Sequence, residues 1–229
     1  MHSLKNLLHM IKFEHSLFAL PCVLVSLLVA SRGLPEFSIL LKVILCTITI
    51  RSAAMTFNRI ADAHIDALNP RTREREIPAG KVSLCEAWLF TIFNAAAFVF
   101  TCYLINDTCL ILSPVVIAVT FAYSYTKRFT WLSHFVLGLS LAVAPMGAWL
   151  AVKETFDLFP MLLSAAVFFW VGGFDIIYSC LDYDFDRHNC LYSIPARFGI
   201  GRALVLSRVC HAITAVILAA LPFVERFSF

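Results

Sequence analysis

The sequence has no CxxC pair and no Cys/His spacing of the metal-binding kind. Its eight cysteines, Cys22, Cys46, Cys85, Cys102, Cys109, Cys180, Cys190 and Cys210, are scattered, most of them inside apolar runs. They read as small buried hydrophobes, and their spacing gives no sign of a disulfide framework or a zinc site. Also missing is a basic stripe interleaved with aromatics, so the charge pattern gives nucleic acid no footing as a partner. The first apolar run carries no small-residue cleavage pattern, exceeds the length of a signal-peptide core and is followed at once by another run, so it is expected to be retained.

What fills the chain is apolar. Of 229 residues 60% are hydrophobic, 21 of them Phe, and the mean hydropathy is +0.83, far above a soluble globular domain. Runs long enough to cross a hydrocarbon core of roughly 30 Å recur at 12–31, 37–57, 84–106, 108–125, 131–152, 158–180 and 203–222. The fold class is therefore all-α, a polytopic bundle of about seven transmembrane helices in the lipid bilayer. With a cytoplasmic N-terminus, the inside segments hold Lys5, Lys12, Arg59, Arg71, Arg73, Arg75, Lys81, Lys127, Arg128, Arg187, Arg197 and Arg202, against Arg32, Lys153 and Arg226 outside. That asymmetry predicts the orientation and accounts for most of the net charge of +3.

Nearly all polar content falls in three inside connections, 58–83, 125–130 and 181–202. The first and third each follow an outward-to-inward span and each begin with acids at four-residue spacing. A period of four helices separates them. This predicts one membrane-embedded domain over residues 1–229, built as a repeat of about 1–125 and a second of about 126–229. On that reading the second repeat calls for a fourth helix beyond the terminal "LPFVERFSF".

Four helical residues advance about 400°, so Asn58, Asp62 and Asp66 should line one face, with Arg51 on the same face one layer deeper. In "DIIYSCLDYDFD" Asp175, Tyr178, Asp182 and Asp186 should share a stripe, while Asp184 points into solvent. Stacked carboxylates repel one another, more so near lipid, and ask for a counter-charge. Mg²⁺ suits them: it takes oxygen ligands, keeps waters and binds through one or two carboxylates plus phosphates. The two acidic clusters, with Asn58 as a neutral oxygen donor, could thus hold Mg²⁺ ions around a diphosphate. Arg71, Arg73 and Arg75 follow the first cluster, placed to fork onto phosphate oxygens. Lys127 and Arg128, in "YSYTKRFT", are expected on the diphosphate or on an acidic acceptor.

A diphosphate site at the edge of an apolar chain suits a substrate with a charged head and a long apolar tail, a polyprenyl diphosphate. Breaking its C1–O bond leaves an allylic cation. Tyr123, Tyr125, Tyr178 and Phe174 could shelter that cation by cation–π attraction.

At these residues the sequence resembles the UbiA superfamily of intramembrane prenyltransferases. The family motif NxxxDxxxD falls on Asn58, Asp62 and Asp66, with its preceding arginine at Arg51, and DxxYxxxDxxxD falls on Asp175, Tyr178, Asp182 and Asp186. The similarity extends over nearly the whole chain, including "NPRTREREIPAG", "YSYTKRFTWLSHFVLG" and "SIPARFG". The resemblance implies a helical bundle around a central cavity and Mg²⁺ held by Asn58, Asp62, Asp66, Asp182 and Asp186. It further implies C-prenylation of a small aromatic acid, a hydroxybenzoate-like ring, in ubiquinone or menaquinone synthesis, in the cytoplasmic membrane of a bacterium. Asp175 and Tyr178 would line the reaction centre, with Arg51, Lys127 and Arg128 near the diphosphate or the acceptor's carboxylate. "SIPARFG" and "APMGAW" are most similar to the 4-hydroxybenzoate polyprenyltransferase branch. Some of its members act in the futalosine route, where the acceptor is a dihydroxynaphthoate. Family members usually have nine spans against seven here, so an inactive short form is an alternative. A cation transporter is another, weakened because the acids lie at helix ends and not at the membrane midplane. A CDP-alcohol phosphotransferase would need an Asp-Gly pair followed by Ala-Arg, which neither cluster supplies. Glu14 and His15 open the first span and are expected to serve the helix start or packing; His134 and His211, lone histidines near apolar helices, are expected to be satisfied by a neighbour and not by metal.

Overall fold

The computed structural model describes residues 2–12 and 20–226. These form helices in the order α1 (His2–Met10), α2 (Leu20–Ala30), α3 (Phe37–Ala61), α4 (Ala63–Leu68), α5 (Leu84–Tyr103), α6 (Asp107–Thr126), α7 (Ser133–Lys153) and α8 (Leu158–Ser179). A single 3₁₀ turn, Cys180–Asp182, leads to α9 (Tyr183–His188), α10 (Ile194–Phe198) and α11 (Ile200–Arg226). No strand occurs among the described residues. Six of these helical stretches are long and apolar enough to cross a membrane, and α2 is a shorter apolar helix. The first predicted span, 12–31, is thus seen only in its second half, because residues 13–19, with Glu14 and His15, lie outside the described residues. Leu41, Leu89, Phe93, Ile111, Val216 and Phe223 stand exposed along the spans, as side chains facing lipid do. The protein is an integral membrane protein.

The helices begin and end where local chemistry directs. Ser83 caps α5: its Oγ accepts from the Glu86 amide, and the Glu86 carboxylate accepts from the Ser83 amide, satisfying two donors a helix start leaves open. Ser193 caps α10 one way only, its Oγ accepting from the Ala196 amide, with Pro195 in the first turn. Gly199 closes that helix at φ 85°, a conformation glycine adopts without strain.

The chain divides into two compact units. One comprises Met1–Pro21 and Glu36–Ser124, the other Cys22–Pro35 and Tyr125–Phe229. In the first, α3 packs along α5. Phe57 stacks on Phe121 with ring centroids 4.2 Å apart and meets the edge of Trp88 at 5.8 Å. Leu7, Met10 and Ile11 from α1 and the turn after it bury against Val82 and Ala87, and Asn6 donates to the Lys81 carbonyl at 3.1 Å.

In the second unit α8 lies between α7 and α11, and the contacts run through small residues. A Cβ added at Gly138 would lie 2.5 Å from the Phe168 carbonyl oxygen, and one at Gly173 2.9 Å from His211. At Gly138 two backbones meet and at Gly173 a backbone meets the His211 ring, approaches open only where the glycine has no side chain, the usual route to tight helix packing in lipid. Polar clips reinforce the fit: Ser207 Oγ donates to the Gly173 carbonyl at 2.8 Å, Thr214 to the Ala166 carbonyl at 3.3 Å, and Ser26 of α2 to the Pro145 carbonyl at 2.6 Å.

Gly147 lies on the same helix as Gly138 and would meet nothing within 4 Å. Gly138→Ala is therefore expected to destabilise the protein by roughly 1–3 kcal/mol through overpacking. Gly147→Ala should be neutral or raise stability by up to about 1 kcal/mol through helix propensity. Thermal unfolding of both variants in detergent checks the contrast.

Candidate functional site

The first acidic cluster sits where α3 gives way to α4. Asp62 lies at the junction with φ −94° and ψ 2°, yet its amide donates to the Asn58 carbonyl at 2.9 Å and the Asp66 amide to the Asp62 carbonyl at 2.8 Å. Helical hydrogen bonding thus runs through the break and keeps the three side chains in register. Asn58 Nδ2 donates to Asp62 Oδ2 at 3.2 Å, the contact their spacing predicts. Asp62 and Asp66 are 3% and 4% exposed, so neither is a solvated helix end.

Burial of ionised carboxylates requires partners. Arg75 Nη1 donates to both oxygens of Asp66 at 2.8 Å. The loop "NPRTREREIPAG" is shaped to deliver that arginine. Asn69 Oδ1 accepts from the Arg71 amide at 2.9 Å, and the Thr72 hydroxyl donates to the Asp66 carbonyl at 3.1 Å. Buried Thr72, Asn69 and Glu76 hold the loop down, while Arg71 and Arg73 remain exposed. Two further groups, which sequence reasoning passed over, join the cluster. Arg59 is buried close enough to feel the charges of Asp62, Asp66, Glu76 and Arg75, and its Nε has no hydrogen-bond partner among the described residues. Glu76 meets His9 Nδ1. Arg51 reaches the Ile11 and Lys12 carbonyls at 3.2 and 3.4 Å, tying α3 to the end of α1.

The second cluster departs from the predicted continuous stripe. The helix carrying Asp175 and Tyr178 ends at Ser179, and a 3₁₀ turn precedes Asp186 on α9. Ser179 Oγ and Cys180 Sγ both donate to the Ile176 carbonyl, at 2.8 and 3.4 Å, and such back-bonding bends helices. Each 3₁₀ residue advances about 120° where an α residue advances about 100°. Three such residues turn Asp182 and Asp186 by roughly 60° from the face of Asp175 and Tyr178. Asp184 is exposed as predicted.

Within this unit Asp186 accepts from the Ser193 hydroxyl and lies near Asp182, Lys127 and His134. The Tyr192 amide donates to the Lys127 carbonyl at 2.8 Å. Arg128 lies 5.0 Å from the centroid of the Tyr125 ring, and Phe174 and Tyr178 stack at 6.3 Å. Tyr123 is half-buried. Asp175 Oδ2 lies 2.7 Å from His134 Nδ1, a partnership between residues 41 apart that no local spacing signals. Both lone histidines are satisfied by neighbours, His211 through the Ser207 carbonyl at 2.8 Å. No group of three or more His, Cys, Asp or Glu side chains poised to hold a metal ion occurs among the described residues. The first unit carries Asp62 and Asp66, with Asn58 donating to Asp62, and the second carries Asp182 and Asp186.

Replacing Arg75 leaves Asp66 buried without that guanidinium, and breaking a buried pair from one side costs about 3–5 kcal/mol. With the Arg75 side chain 24% exposed, the lower end applies. Arg75→Met should lower stability by roughly 3 kcal/mol, and Arg75→Met with Asp66→Asn should recover part of it, as read by thermal unfolding across the double-mutant cycle.

Comparison with known proteins gives these clusters a context. The model of the UbiA prenyltransferase family matches residues 19–228. A 4-hydroxybenzoate octaprenyltransferase of Actinobacillus pleuropneumoniae serotype 5b (strain L20) is 36% identical over 203 residues, which is 88% of this chain and 69% of the relative. Among solved structures, the apo UbiA homologue from Aeropyrum pernix K1 superposes with a TM-score of 0.85 at 37% identity, covering 92% of this chain and 79% of that one. The UbiA homologue from Archaeoglobus fulgidus bound to DMAPP and Mg²⁺ gives a TM-score of 0.75 at 21% identity over 94% of this chain and 77% of that one, a likeness of fold. The family model spans most of the sequence, both aspartate motifs lie inside the matched region, and the chain belongs to the UbiA prenyltransferase family.

Proposed function

We propose that this chain transfers a polyprenyl group from its diphosphate to a ring carbon of a 4-hydroxybenzoate-like acceptor, with Mg²⁺ as cofactor. The observation that carries the reading is the burial of Asp62 and Asp66 at the end of an apolar helix. Carboxylates there are costly and mark function. The name of the Actinobacillus relative supports the acceptor class.

The donor set fits a hard divalent ion, since Mg²⁺ needs only one or two carboxylates beside phosphate and water. Asn58, Asp62 and Asp66 would hold such an ion in the first unit, and Asp182 and Asp186 would hold one in the second. Bound there, it would stabilise the charge on departing pyrophosphate as a Lewis acid. Arg71 and Arg73 in the first unit, and Lys127 and Arg128 in the second, carry positive charge suited to phosphate oxygens, and Arg51 would serve the diphosphate or the acceptor's carboxylate. Pyrophosphate leaves with the electron pair of the C1–O bond, the acceptor's ring carbon bonds to C1, and the proton on that carbon passes to the departed pyrophosphate, restoring aromaticity. Tyr123, Tyr125 and the stacked Tyr178 offer aromatic faces to the transient cation. Asp175 accepts a hydrogen bond from the acceptor's hydroxyl and feeds electron density into the ring. The positive-inside asymmetry favours a cytoplasmic N-terminus and cytoplasmic acidic clusters, and the bacterial relative favours the inner membrane.

Membranes containing this 229-residue chain, given a polyprenyl diphosphate and Mg²⁺, are expected to prenylate 4-hydroxybenzoate. Asp62→Ala and Asp182→Ala should each lose at least about 100-fold of that activity, and chelation should abolish it. Product from a dihydroxynaphthoate alone would move the acceptor to the naphthoate class. No product with either acceptor from well-inserted protein would overturn the reading.

A further inference from the structure

His134 lies on the first turn of α7 and is 3% exposed. Its two ring nitrogens have different partners. The Ile194 amide donates to Nε2 at 3.1 Å, and an amide N–H can only donate, so Nε2 carries no proton. The ring's proton therefore sits on Nδ1 and is donated to Asp175 Oδ2 at 2.7 Å. One contact fixes the tautomer, and the tautomer fixes what the other contact must be.

The consequences reach both ends of the second aspartate motif. Asp175 opens the motif and Asp186 closes it. Asp186 accepts from the Ser193 hydroxyl, and Ser193 immediately precedes the Ile194 amide that His134 holds. The Ile194 side chain packs with Ile176 and Ala203, with Trp131 and Phe135 against them, so the ring and the segment it grips are both walled in. The Asp175 side chain keeps 20% exposure, enough for a ligand to reach its other oxygen.

We propose that His134 is a positioning residue: it orients the Asp175 carboxylate through Nδ1–H while its Nε2 anchors the segment that carries Ser193. This rests on the reading above, in which Asp175 holds the acceptor's hydroxyl. With Oδ2 engaged by His134, Oδ1 is the oxygen presented to the acceptor.

Two substitutions separate the ring's two contacts. In His134→Asn the amide nitrogen falls near the Nδ1 position and keeps a donor for Asp175. In His134→Gln the amide lies near the Nε2 position, so it keeps an acceptor for Ile194 and loses Asp175. In nanodiscs, His134→Gln is expected to lower kcat on the order of 100-fold, the scale of a misplaced catalytic contact, and to raise KM for the acceptor. KM for the prenyl diphosphate should stay within about two-fold, because the diphosphate's binding groups are untouched. His134→Asn should keep kcat within about ten-fold of the wild type. Equal losses in the two variants, or a loss confined to KM for the prenyl diphosphate, would overturn the proposal. A second readout needs no turnover: ¹⁵N spectra of histidine-labelled protein should show His134 as the Nδ1–H tautomer, shifted by Asp175→Leu. An Nε2–H tautomer, or a signal indifferent to Asp175→Leu, overturns the proposal. Wild-type protein that fails to prenylate either acceptor yet shows that tautomer and that shift would sink the functional reading and leave the Asp175–His134 placement standing.

Discussion

A pair of carboxylates buried at the end of an apolar helix is the constraint around which the rest of the first unit is arranged. Asp62 and Asp66 have little water to solvate them, so the chain must bring charge and hydrogen bonds to them. It does so with a folded loop: Thr72 grips the Asp66 backbone, Asn69 sets a turn, and Arg75 arrives on the Asp66 carboxylate. Arg59, buried beside the same acids, adds a second cation within the protein.

The second unit meets a similar demand differently. Asp175 takes its hydrogen bond from an imidazole, Asp186 from a hydroxyl, and both donors are fixed by the backbone around residues 193 and 194. The first cluster leans on a guanidinium, the second on an imidazole and a hydroxyl, with Lys127 close to Asp186.

The periodicity of the sequence made the spans legible because a helix in lipid must be apolar along its whole length, and the six long helices fall where the runs do. The contact of Asn58 with Asp62 was legible too, since both lie on one turn of hydrogen-bonded backbone. Three things were not. The 3₁₀ turn at 180–182, where Ser179 and Cys180 both donate to the Ile176 carbonyl, is a local preference hidden in any reading that extends the helix by its apolar pattern. The choice of Arg75 over Arg71 and Arg73 as the partner of Asp66 depends on how the loop turns at Asn69. The pairing of His134 with Asp175 is tertiary, and a lone histidine near an apolar helix carries no mark of the partner it will find.

The approach of α7 to α8 at Gly138 has a mechanical consequence. Where a backbone carbonyl takes the space of a side chain, the contact has no rotamers to exchange, and the helix pair has a single depth of fit. Helices joined by flexible side chains can slide past one another when the surrounding lipid thickens or thins. Here α7 and α8 must answer such a mismatch by tilting as one body, so the residues at their ends, His134 and Asp175 among them, keep their spacing whatever the thickness of the membrane.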